Sequence, residues 1–319
     1  MNIRSALSEA IARLESAGVP SDALAAELLL MHALNRDRTW LYSHNEELVA
    51  LSTLEEFRAL IARRASGVPT QYLTGKQEFW GLDFEVTPAV LIPRPETEHV
   101  IEVTLARLGP SRMSAELQIA DIGTGSGCIA IALANELRRA EILATDISRE
   151  ALEVARRNAA RHNVADRIQF FESDLFEMFR DEGRLSTQRL ARSSDHATPQ
   201  KNAGWQPALR NQKPKFDAIV SNPPYIPLGE GPQLQREVRA HEPPIALFAG
   251  DDGLAIYAPL IRDARDFLTP GGILILELGH SSLSGVRQIL EQSDAWSDIR
   301  VADDLAGIPR VISAIAATG

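Results

Sequence analysis

From about residue 116 onward, short apolar runs alternate with stretches of helical period, and this alternation limits the fold more than any other feature. The runs Leu117 to Ile122 and Ile142 to Thr145 predict strands, followed by a helix over about 127–137 and a helix that begins at Ser148. A third strand is predicted over Ile168 to Phe171. Strands this apolar are buried on both faces, as in a parallel sheet covered by helices. The pattern therefore predicts an α/β fold with a doubly wound sheet.

The last third of the chain continues this rhythm. A strand is predicted over Phe216 to Val220, and a helix over about 252–268. Pro270 and Gly271 are expected to end that helix, because neither residue continues a helix well. The near-continuous apolar run from Gly272 to Glu277 predicts a further buried strand.

Residues 1–70 have only helical period and are predicted to form a small N-terminal all-helical domain. Ser21 is the expected N-cap of one helix. Ser52 and Glu55 have the spacing of a capping box at the start of another. We interpret this unit as a domain that docks the substrate, and a packing appendage is the alternative.

Two further segments complete the predicted organisation. Residues 71–98 have apolar residues near period two around a bend at Trp80 and Gly81, which predicts a hairpin linker. Residues 99–319 then form the α/β domain. Within it, residues 180–215 are polar and lack any period, so they are predicted to be a flexible surface insertion. A functional basic arm is the alternative for this segment.

Charge and cysteine content narrow the possible partners. The net charge of the 319 residues is −10, from 33 basic and 43 acidic side chains. This balance disfavours nucleic acid, because proteins that bind it usually carry a basic excess. The single cysteine, Cys128, and the lack of a long apolar run predict a cytoplasmic chain with no disulfide and no membrane span. The seven histidines show no ligand spacing, which predicts no metal site.

A glycine-rich loop follows the first strand of the α/β domain. Residues 121–127 read DIGTGSG, and such glycines let the backbone turn sharply and approach a ligand. A dinucleotide-binding fingerprint would need its third glycine at position 128, where this chain has Cys128. The spacing therefore weakens the interpretation of the loop as a dinucleotide site. Asp146 ends the next strand, where a carboxylate can accept both hydroxyls of a ribose. An adenosine-containing ligand is predicted, and a simple glycine-rich turn is the alternative.

A second polar motif, Asn222-Pro223-Pro224-Tyr225, follows the strand predicted over Phe216 to Val220. Prolines fix the backbone and lack N–H donors, which leaves neighbouring carbonyls as acceptors. The Asn222 amide adds an oxygen acceptor, and Tyr225 adds a flat face. This combination suits an uncharged planar nitrogen whose N–H groups donate to Asn222 and to the Pro223 carbonyl. Taken alone, the motif is also a good turn.

Together these motifs resemble those of the class I S-adenosylmethionine-dependent methyltransferases that act on planar amino or amide nitrogens, which implies a Rossmann-like sheet. The linker is similar to that of one family, the release factor glutamine methyltransferases, and the likeness covers nearly the whole chain apart from the insertion. The segments that carry it are Gln71-Tyr72-Leu73-Thr74-Gly75, Glu78-Phe79-Trp80-Gly81, Leu91-Ile92-Pro93-Arg94-Pro95-Glu96-Thr97-Glu98, Ser221 to Ile226, Glu242-Pro243 and Asp252-Gly253-Leu254.

The resemblance implies an enzyme of translation termination. It would use S-adenosyl-L-methionine to methylate the N5 amide nitrogen of the glutamine in the Gly-Gly-Gln motif of class-1 peptide chain release factors. The cofactor-binding residues that the resemblance implies are Gly123, Thr124, Gly125, Ser126, Gly127, Asp146, Asp174, Leu175 and Asn222. The implied substrate-binding residues are Asn222, Pro223, Pro224 and Tyr225, with Asn222 as the catalytic residue. Leu175 stands where some members have tryptophan beside the adenine, and leucine supplies an apolar floor.

Two other functions fit part of the pattern. An exocyclic amino group of a DNA or RNA base presents the same flat nitrogen to an Asn-Pro-Pro-Tyr motif. The acidic charge balance and the lack of an obvious base-reading domain disfavour a nucleic-acid base as the substrate. A non-catalytic nucleotide-binding protein accounts for the glycine-rich loop but leaves Asn222 to Tyr225 unexplained.

Overall fold

A computed structural model gives the structure of the protein, and it describes residues 1–180 and 214–317. The insertion predicted over residues 180–215 falls almost wholly outside these ranges, so that interpretation stays a prediction. Within the described ranges, no helix is both long enough and apolar enough to cross a membrane.

The N-terminal residues fold into a helical unit around an apolar core of their own. The helices are α1 (Ile3–Ser16), α2 (Asp22–Leu34), α3 (Arg38–Ser43), α4 (Leu51–Ala65) and α5 (Thr70–Thr74). Leu14, Leu29 and Phe57 meet in this core, each at most 1% exposed. Asn2 caps α1, because its side-chain oxygen accepts a hydrogen bond from the N–H of Ser5 at 2.9 Å. The predicted all-helical character of this region is confirmed.

Two expected helix caps are wrong. Ser21 stands directly before α2, but its φ of 53° puts it in the left-handed region, and its side chain makes no capping bond. Ser52 lies inside the first turn of α4, because that helix already begins at Leu51 and Ala50 holds the cap position. Ser52 and Glu55 therefore form no capping box.

A two-stranded antiparallel hairpin follows the helical unit. It consists of β1 (Lys76–Phe79) and β2 (Leu82–Glu85). The chain reverses at Trp80 and Gly81, whose φ angles of 55° and 69° suit a tight two-residue hairpin loop. Phe79 is 1% exposed and packs into the core of the α/β domain. The hairpin lies where the sequence predicts it.

The rest of the described chain is built around a seven-stranded sheet. The strands are β3 (Gln118–Ile122), β4 (Glu141–Asp146), β5 (Ile168–Glu172), β6 (Phe216–Ser221), β7 (Leu268–Glu277), β8 (Trp296–Asp303) and β9 (Pro309–Ala316). Their order is β5-β4-β3-β6-β7-β9-β8. The first five are parallel, and β9 is antiparallel to both of its neighbours. The predicted doubly wound α/β sheet is confirmed.

Helices cover both faces of this sheet. The helices of the α/β domain are α6 (Glu98–Leu108), α7 (Cys128–Glu136), α8 (Arg149–Arg161), α9 (Glu177–Arg180), α10 (Arg236–His241), α11 (Tyr257–Ala264) and α12 (Leu283–Glu291), of which α10 buries no residue. Neighbouring residues of β3 point to opposite faces, so Ile119 packs with α6, α7 and α8 while Ala120 packs with α11 and α12. This burial on both faces explains the near-continuous apolar runs in the sequence.

The helix predicted over residues 252–268 is too long, and its end is wrong. The chain turns before α11 because the carboxylate of Asp252 accepts from the N–H of Leu254 at 2.9 Å. Pro270 and Gly271 lie within β7 instead of ending the helix. The register between β6 and β7 is irregular there, and such a break accommodates a residue without an N–H group.

One buried polar side chain ties the hairpin to the glycine-rich loop. Asn158 on α8 is 0% exposed. Its Oδ1 accepts from the N–H of Glu85 at 2.7 Å, and its Nδ2 donates to the carbonyls of Glu85 and Ser126 at 3.0 and 2.9 Å. Because Ser126 belongs to the loop, a single side chain fixes the hairpin, the loop and α8 together.

Replacing Asn158 by alanine should lower the free energy of unfolding by about 3 kcal/mol or more, since each buried polar group left without a partner costs about 1–3 kcal/mol. Urea denaturation followed by circular dichroism measures this. Asn135→Ala is the matched control, because its side chain donates to the carbonyl of Ile131 in its own helix. The control should lose less than about 1 kcal/mol. Equal losses in the two variants would contradict the assigned role.

Candidate active site

A cavity of about 290 Å³ opens at the carboxyl ends of β3, β4 and β6. The strand order reverses at this edge, and open α/β sheets bind their ligands at such a position. The predicted site residues in its wall are Gly123, Thr124, Gly125, Ser126, Asp146, Asp174, Leu175, Asn222 and Pro224. Gly127, Pro223 and Tyr225 lie beside the cavity rather than in its wall. The structure therefore brings the two sequence motifs to one place.

The loop between β3 and α7 takes its shape from glycines. Gly123 and Gly125 have φ angles of 76° and 55°, and a Cβ at either position would meet no atom within 4 Å. A Cβ on Gly127 would come within 3.1 Å of side-chain atoms of both Ala155 and Ile131. Gly127 thus permits close packing of α7 against α8, and its predicted contact with the cofactor stays a prediction.

Asp146 ends β4 and faces this loop. One carboxylate oxygen accepts from the N–H of Gly125 at 2.8 Å, and the other accepts from the N–H of Ser148 at 2.9 Å. Burial raises the pKa of Asp146, while backbone hydrogen bonds act in the opposite direction. The two bonds hold the carboxylate in the cavity wall, where it can also accept from ligand hydroxyls.

Asp121 begins the loop motif and is 0% exposed. Its Oδ2 accepts from the hydroxyl of Thr124 at 2.6 Å and from the N–H of Ala130 at 3.2 Å. Its Oδ1 has no hydrogen-bond partner in the part of the chain that the structure describes. Burial raises the pKa of Asp121 to about 7, although these two hydrogen bonds lower it. Asp121 thus holds the glycine-rich loop in shape, although burial of its ionised carboxylate is unfavourable.

The turn after β5 supplies an apolar side of the cavity. Leu175 has a φ of 45°, which is uncommon for a residue with a branched side chain. The hydroxyl of Ser173 donates to the Leu175 carbonyl at 3.1 Å and accepts from the N–H of Met178 at 3.1 Å. These bonds hold the turn, and Leu175 lines the cavity beside Asp174.

Asn222 directly follows β6 and lines the cavity. The hydroxyl of Ser221 donates to the carbonyl of Ile122 at 2.6 Å, which anchors the end of β6 to β3. The Nδ2 of Asn222 donates to the Oγ1 of Thr97 at 3.0 Å. With its nitrogen engaged in this way, the Asn222 amide offers its oxygen to a ligand.

Tyr225 packs behind the loop after β6. A Cβ on Gly279 would come within 2.6 Å of the Tyr225 ring, so this close approach requires glycine. Burial raises the pKa of Tyr225 to about 12. Pro223 is buried next to it. The predicted contacts of both residues with a substrate amide stay predictions.

An ion pair holds the linker at the cavity. Arg94 lies in the cavity wall, and its guanidinium donates to the carboxylate of Glu242 at 2.5 Å. Glu242 is 3% exposed and also accepts from the N–H of Ile92 at 3.3 Å. Both partners lie in segments that carry the family resemblance, and the structure gives them a shared role in fixing the linker.

Two buried polar residues beside Asn222 are absent from the sequence-based set of site residues. Thr97, at the end of a short 3-10 turn, lines the cavity and is 2% exposed. Glu277 is the last residue of β7 and is also 2% exposed. The available signal for Glu277 is a carboxylate at the end of an otherwise apolar run, since such a residue needs a reason to be buried.

Comparison with known proteins decides the family. Residues 5–75 match the model of the PrmC N-terminal domain, and residues 104–187 match that of the methyltransferase small domain. The release factor glutamine methyltransferase of Koribacter versatilis is 40% identical over 312 residues, which cover 98% of each chain. The protein of the same name from Moorella thermoacetica is 41% identical over 310 residues, 97% of each chain. This chain belongs to the release factor glutamine methyltransferase family.

The membership confirms the resemblance drawn from the motifs, and the relatives' shared name favours a protein glutamine over a nucleic-acid base. A solved structure of the hMettl16 catalytic domain in complex with the MAT2A 3′UTR hairpin 6 is 19% identical, with a TM-score of 0.50 and 81% of each chain covered. At this identity the likeness shows the Rossmann-like methyltransferase fold alone. Among residues 1–180 and 214–317, no group of three or more histidine, cysteine or acidic side chains is placed to hold a metal ion.

The buried carboxyl of Asp121 should make the protein less stable as pH rises. Its pKa is raised to about 7 in the folded chain from an ordinary value of 3.8, so folding favours the protonated form. That contribution is complete below pH 4 and is lost as pH rises to about 7, by at most about 1.4 kcal/mol per pH unit. Asp121→Asn should therefore gain stability relative to the natural chain between pH 4 and 7 in urea denaturation. A stability difference that does not change with pH would contradict this.

Proposed function

We propose that this chain transfers a methyl group from S-adenosyl-L-methionine to the N5 amide nitrogen of the glutamine in the Gly-Gly-Gln motif of class-1 peptide chain release factors. The observation that carries the proposal is the amide of Asn222, whose nitrogen is held by Thr97 while its oxygen is left to the cavity. The names of the full-length relatives support the same reaction. The proposed substrate also implies a cytoplasmic site of action.

The cavity has the donors, acceptors and open space that the cofactor requires. Gly123 and Gly125 leave the loop backbone open to a ligand, and residues 123–127 would hold the cofactor's polar end. Asp146 would accept from the ribose hydroxyls, and Leu175 beside Asp174 would pack against the adenine. When bound, S-adenosylmethionine supplies the methyl group on a sulfonium, which makes that carbon a strong electrophile.

The substrate side of the cavity would act mainly by positioning. A carboxamide nitrogen is a poor nucleophile, because its lone pair is delocalised into the carbonyl. Asn222 and the carbonyl of Pro223 would accept its two hydrogens and aim the nitrogen at the methyl carbon, in line with the bond that breaks. The same two acceptors stabilise the positive charge that develops on the nitrogen. Pro224 and Tyr225 would confine the plane of the glutamine amide.

No side chain has to act as a general base in this scheme. Once the nitrogen carries the methyl group and a positive charge, it is strongly acidic and releases a proton to water. The arrangement around Asn222 agrees with this, because its amide offers an acceptor without a basic group. The glutamine nitrogen would gain the methyl group that the sulfonium loses, and one proton would leave to solvent.

The helical domain, residues 1–70, is proposed to dock the release factor. One glutamine side chain offers few contacts, so affinity must come from a broad protein surface. Exposed apolar side chains are available at two places. Leu48 and Leu51 of the helical domain are 76% and 71% exposed, and Ile147 and Ile245 at the cavity mouth are 48% and 57% exposed.

Methyl transfer to a purified release factor tests the reaction. Labelled S-adenosylmethionine and mass spectrometry should place one methyl group on the Gly-Gly-Gln glutamine. Asn222→Ala should lower the single-turnover rate by about a hundredfold or more, because the acceptor that orients the amide is lost. Asn135→Ala serves as the control and should keep the natural rate. Labelling of DNA or RNA instead of the factor would overturn the proposal, and an undiminished rate in Asn222→Ala would overturn the positioning role.

Docking predicts a preference for folded substrate. Methylation of a folded release factor should far exceed that of a free Gly-Gly-Gln peptide. The double variant Leu48→Glu with Leu51→Glu should raise KM for the factor by about tenfold, equivalent to about 1.4 kcal/mol, and leave peptide methylation unchanged. Met113→Glu, an exposed position on the loop before β3, is the control. Equal rates on peptide and factor would reduce the helical domain to a packing appendage.

A further inference from the structure

Three polar groups from distant parts of the sequence come together behind the cavity. Asn222 donates through Nδ2 to the Oγ1 of Thr97 at 3.0 Å. The Thr97 side chain acts on the carboxyl group of Glu277 as a hydrogen-bond donor that lowers its pKa, and the Oε2 of Glu277 is buried without a hydrogen-bond partner among the described residues. Thr97 and Glu277 are each 2% exposed, so bulk water does not compete for these bonds.

The chain of bonds has a direction. An ionised carboxylate only accepts hydrogen bonds, and a threonine hydroxyl has one hydrogen to donate. When Glu277 is ionised, the Thr97 hydrogen points to it, and the Thr97 oxygen presents its lone pairs to Asn222. Asn222 must then turn its NH2 group toward Thr97, and its oxygen faces the cavity.

We propose that Thr97 and Glu277 are positioning residues that fix the side-chain amide of Asn222 with its oxygen toward the substrate glutamine. The inference rests on the proposed function, because it concerns the acceptor for that glutamine. An asparagine amide is nearly symmetric in shape, so packing alone does not distinguish its oxygen from its nitrogen. A flipped Asn222 would present donors to the substrate NH2 group and repel it. The buried carboxylate of Glu277 distinguishes the two ends of the Asn222 amide, which packing alone does not.

The surroundings of Glu277 make this device sensitive to pH. Burial raises the pKa of Glu277 to about 7, the Thr97 hydrogen bond lowers it, and Glu96 raises it. The charged or titratable side chains that interact with Glu277 are Glu96, Arg94, Arg310, Tyr225, Tyr257 and Cys128. A protonated Glu277 becomes a donor, so the Thr97 hydrogen is driven toward Asn222 and favours the flipped amide. Transfer should therefore fall as pH drops through about 7.

Substitution of Thr97 separates orientation from packing. Thr97→Val keeps the shape and removes the hydroxyl, whereas Thr97→Ser keeps the hydroxyl and removes a methyl group. In single-turnover assays with saturating cofactor and release factor at pH 8, Thr97→Val should be slower by about 10- to 100-fold. Thr97→Ser should stay within about threefold of the natural chain. Thr104→Val is the control, because Thr104 is buried on α6, the helix that directly follows Thr97, and its hydroxyl donates to the Val100 carbonyl at 2.6 Å.

Glu277→Gln supplies the second readout. A glutamine amide can accept from or donate to Thr97, so the direction of the chain is no longer fixed. The variant should be slower at pH 8, and the fall of the rate between pH 8 and 6 that the natural chain shows should flatten. A purely structural carboxyl would lower the rate equally at every pH and leave the profile in place.

The outcomes distinguish this inference from the proposed function. If the natural chain methylates the release factor but Thr97→Val does so at the natural rate, the orienting role is overturned and the function stands. Equal losses in Thr97→Val, Thr97→Ser and Thr104→Val would reduce the effect to folding and also overturn it. If the natural chain methylates no release factor, both proposals fail together.

Discussion

The ends of three parallel strands meet at one edge of the sheet, and the rest of the site depends on this convergence. β3 pairs with β4 on one side and β6 on the other, all in the same direction. Neighbouring strands lie about 4.8 Å apart, so the residues that follow them are brought within reach of one ligand. The glycines of the loop begin directly after β3, and Asn222 directly follows β6. Asp146 is the last residue of β4. The strand ladder itself therefore sets the spacing between the glycine-rich loop, Asp146 and Asn222.

Buried polar bonds then lock the linker onto that edge. Asn158 holds the hairpin to the loop, and Glu242 holds Arg94 and the backbone of the linker. Arg64 of the helical domain pairs with Glu237 at 2.5 Å, with only 5% of the Arg64 side chain exposed. Removing one partner of such a pair leaves an uncompensated buried charge, which is costly. This ion pair therefore ties the helical domain to α10.

Local patterns were sufficient to predict the five parallel strands, the hairpin and the two motifs at the cavity, but they did not predict β8 and β9, which pair antiparallel at one edge of the sheet. Period-two and apolar runs are properties of neighbouring residues, and Ser148 does cap its helix as predicted. The predicted caps at Ser21 and Ser52 are wrong because Ser21 has a left-handed φ of 53° and because α4 already begins at Leu51. The sequence could not predict that Thr97, Asn222 and Glu277 come together, since only the completed sheet brings these residues close. The same holds for Asn158, whose three bonds cross from one domain segment to another.

A crystal structure of a trapped complex would show directly how Asn222 meets the substrate glutamine. The chain would be crystallised with S-adenosylhomocysteine and a class-1 release factor, so that no methyl group is available for transfer. We expect the Gly-Gly-Gln glutamine in the cavity with its amide nitrogen about 2.7–3.2 Å from the Oδ1 of Asn222 and pointing at the cofactor sulfur. A glutamine held outside the cavity, or one whose carbonyl oxygen rather than its nitrogen faces Asn222, would contradict the account.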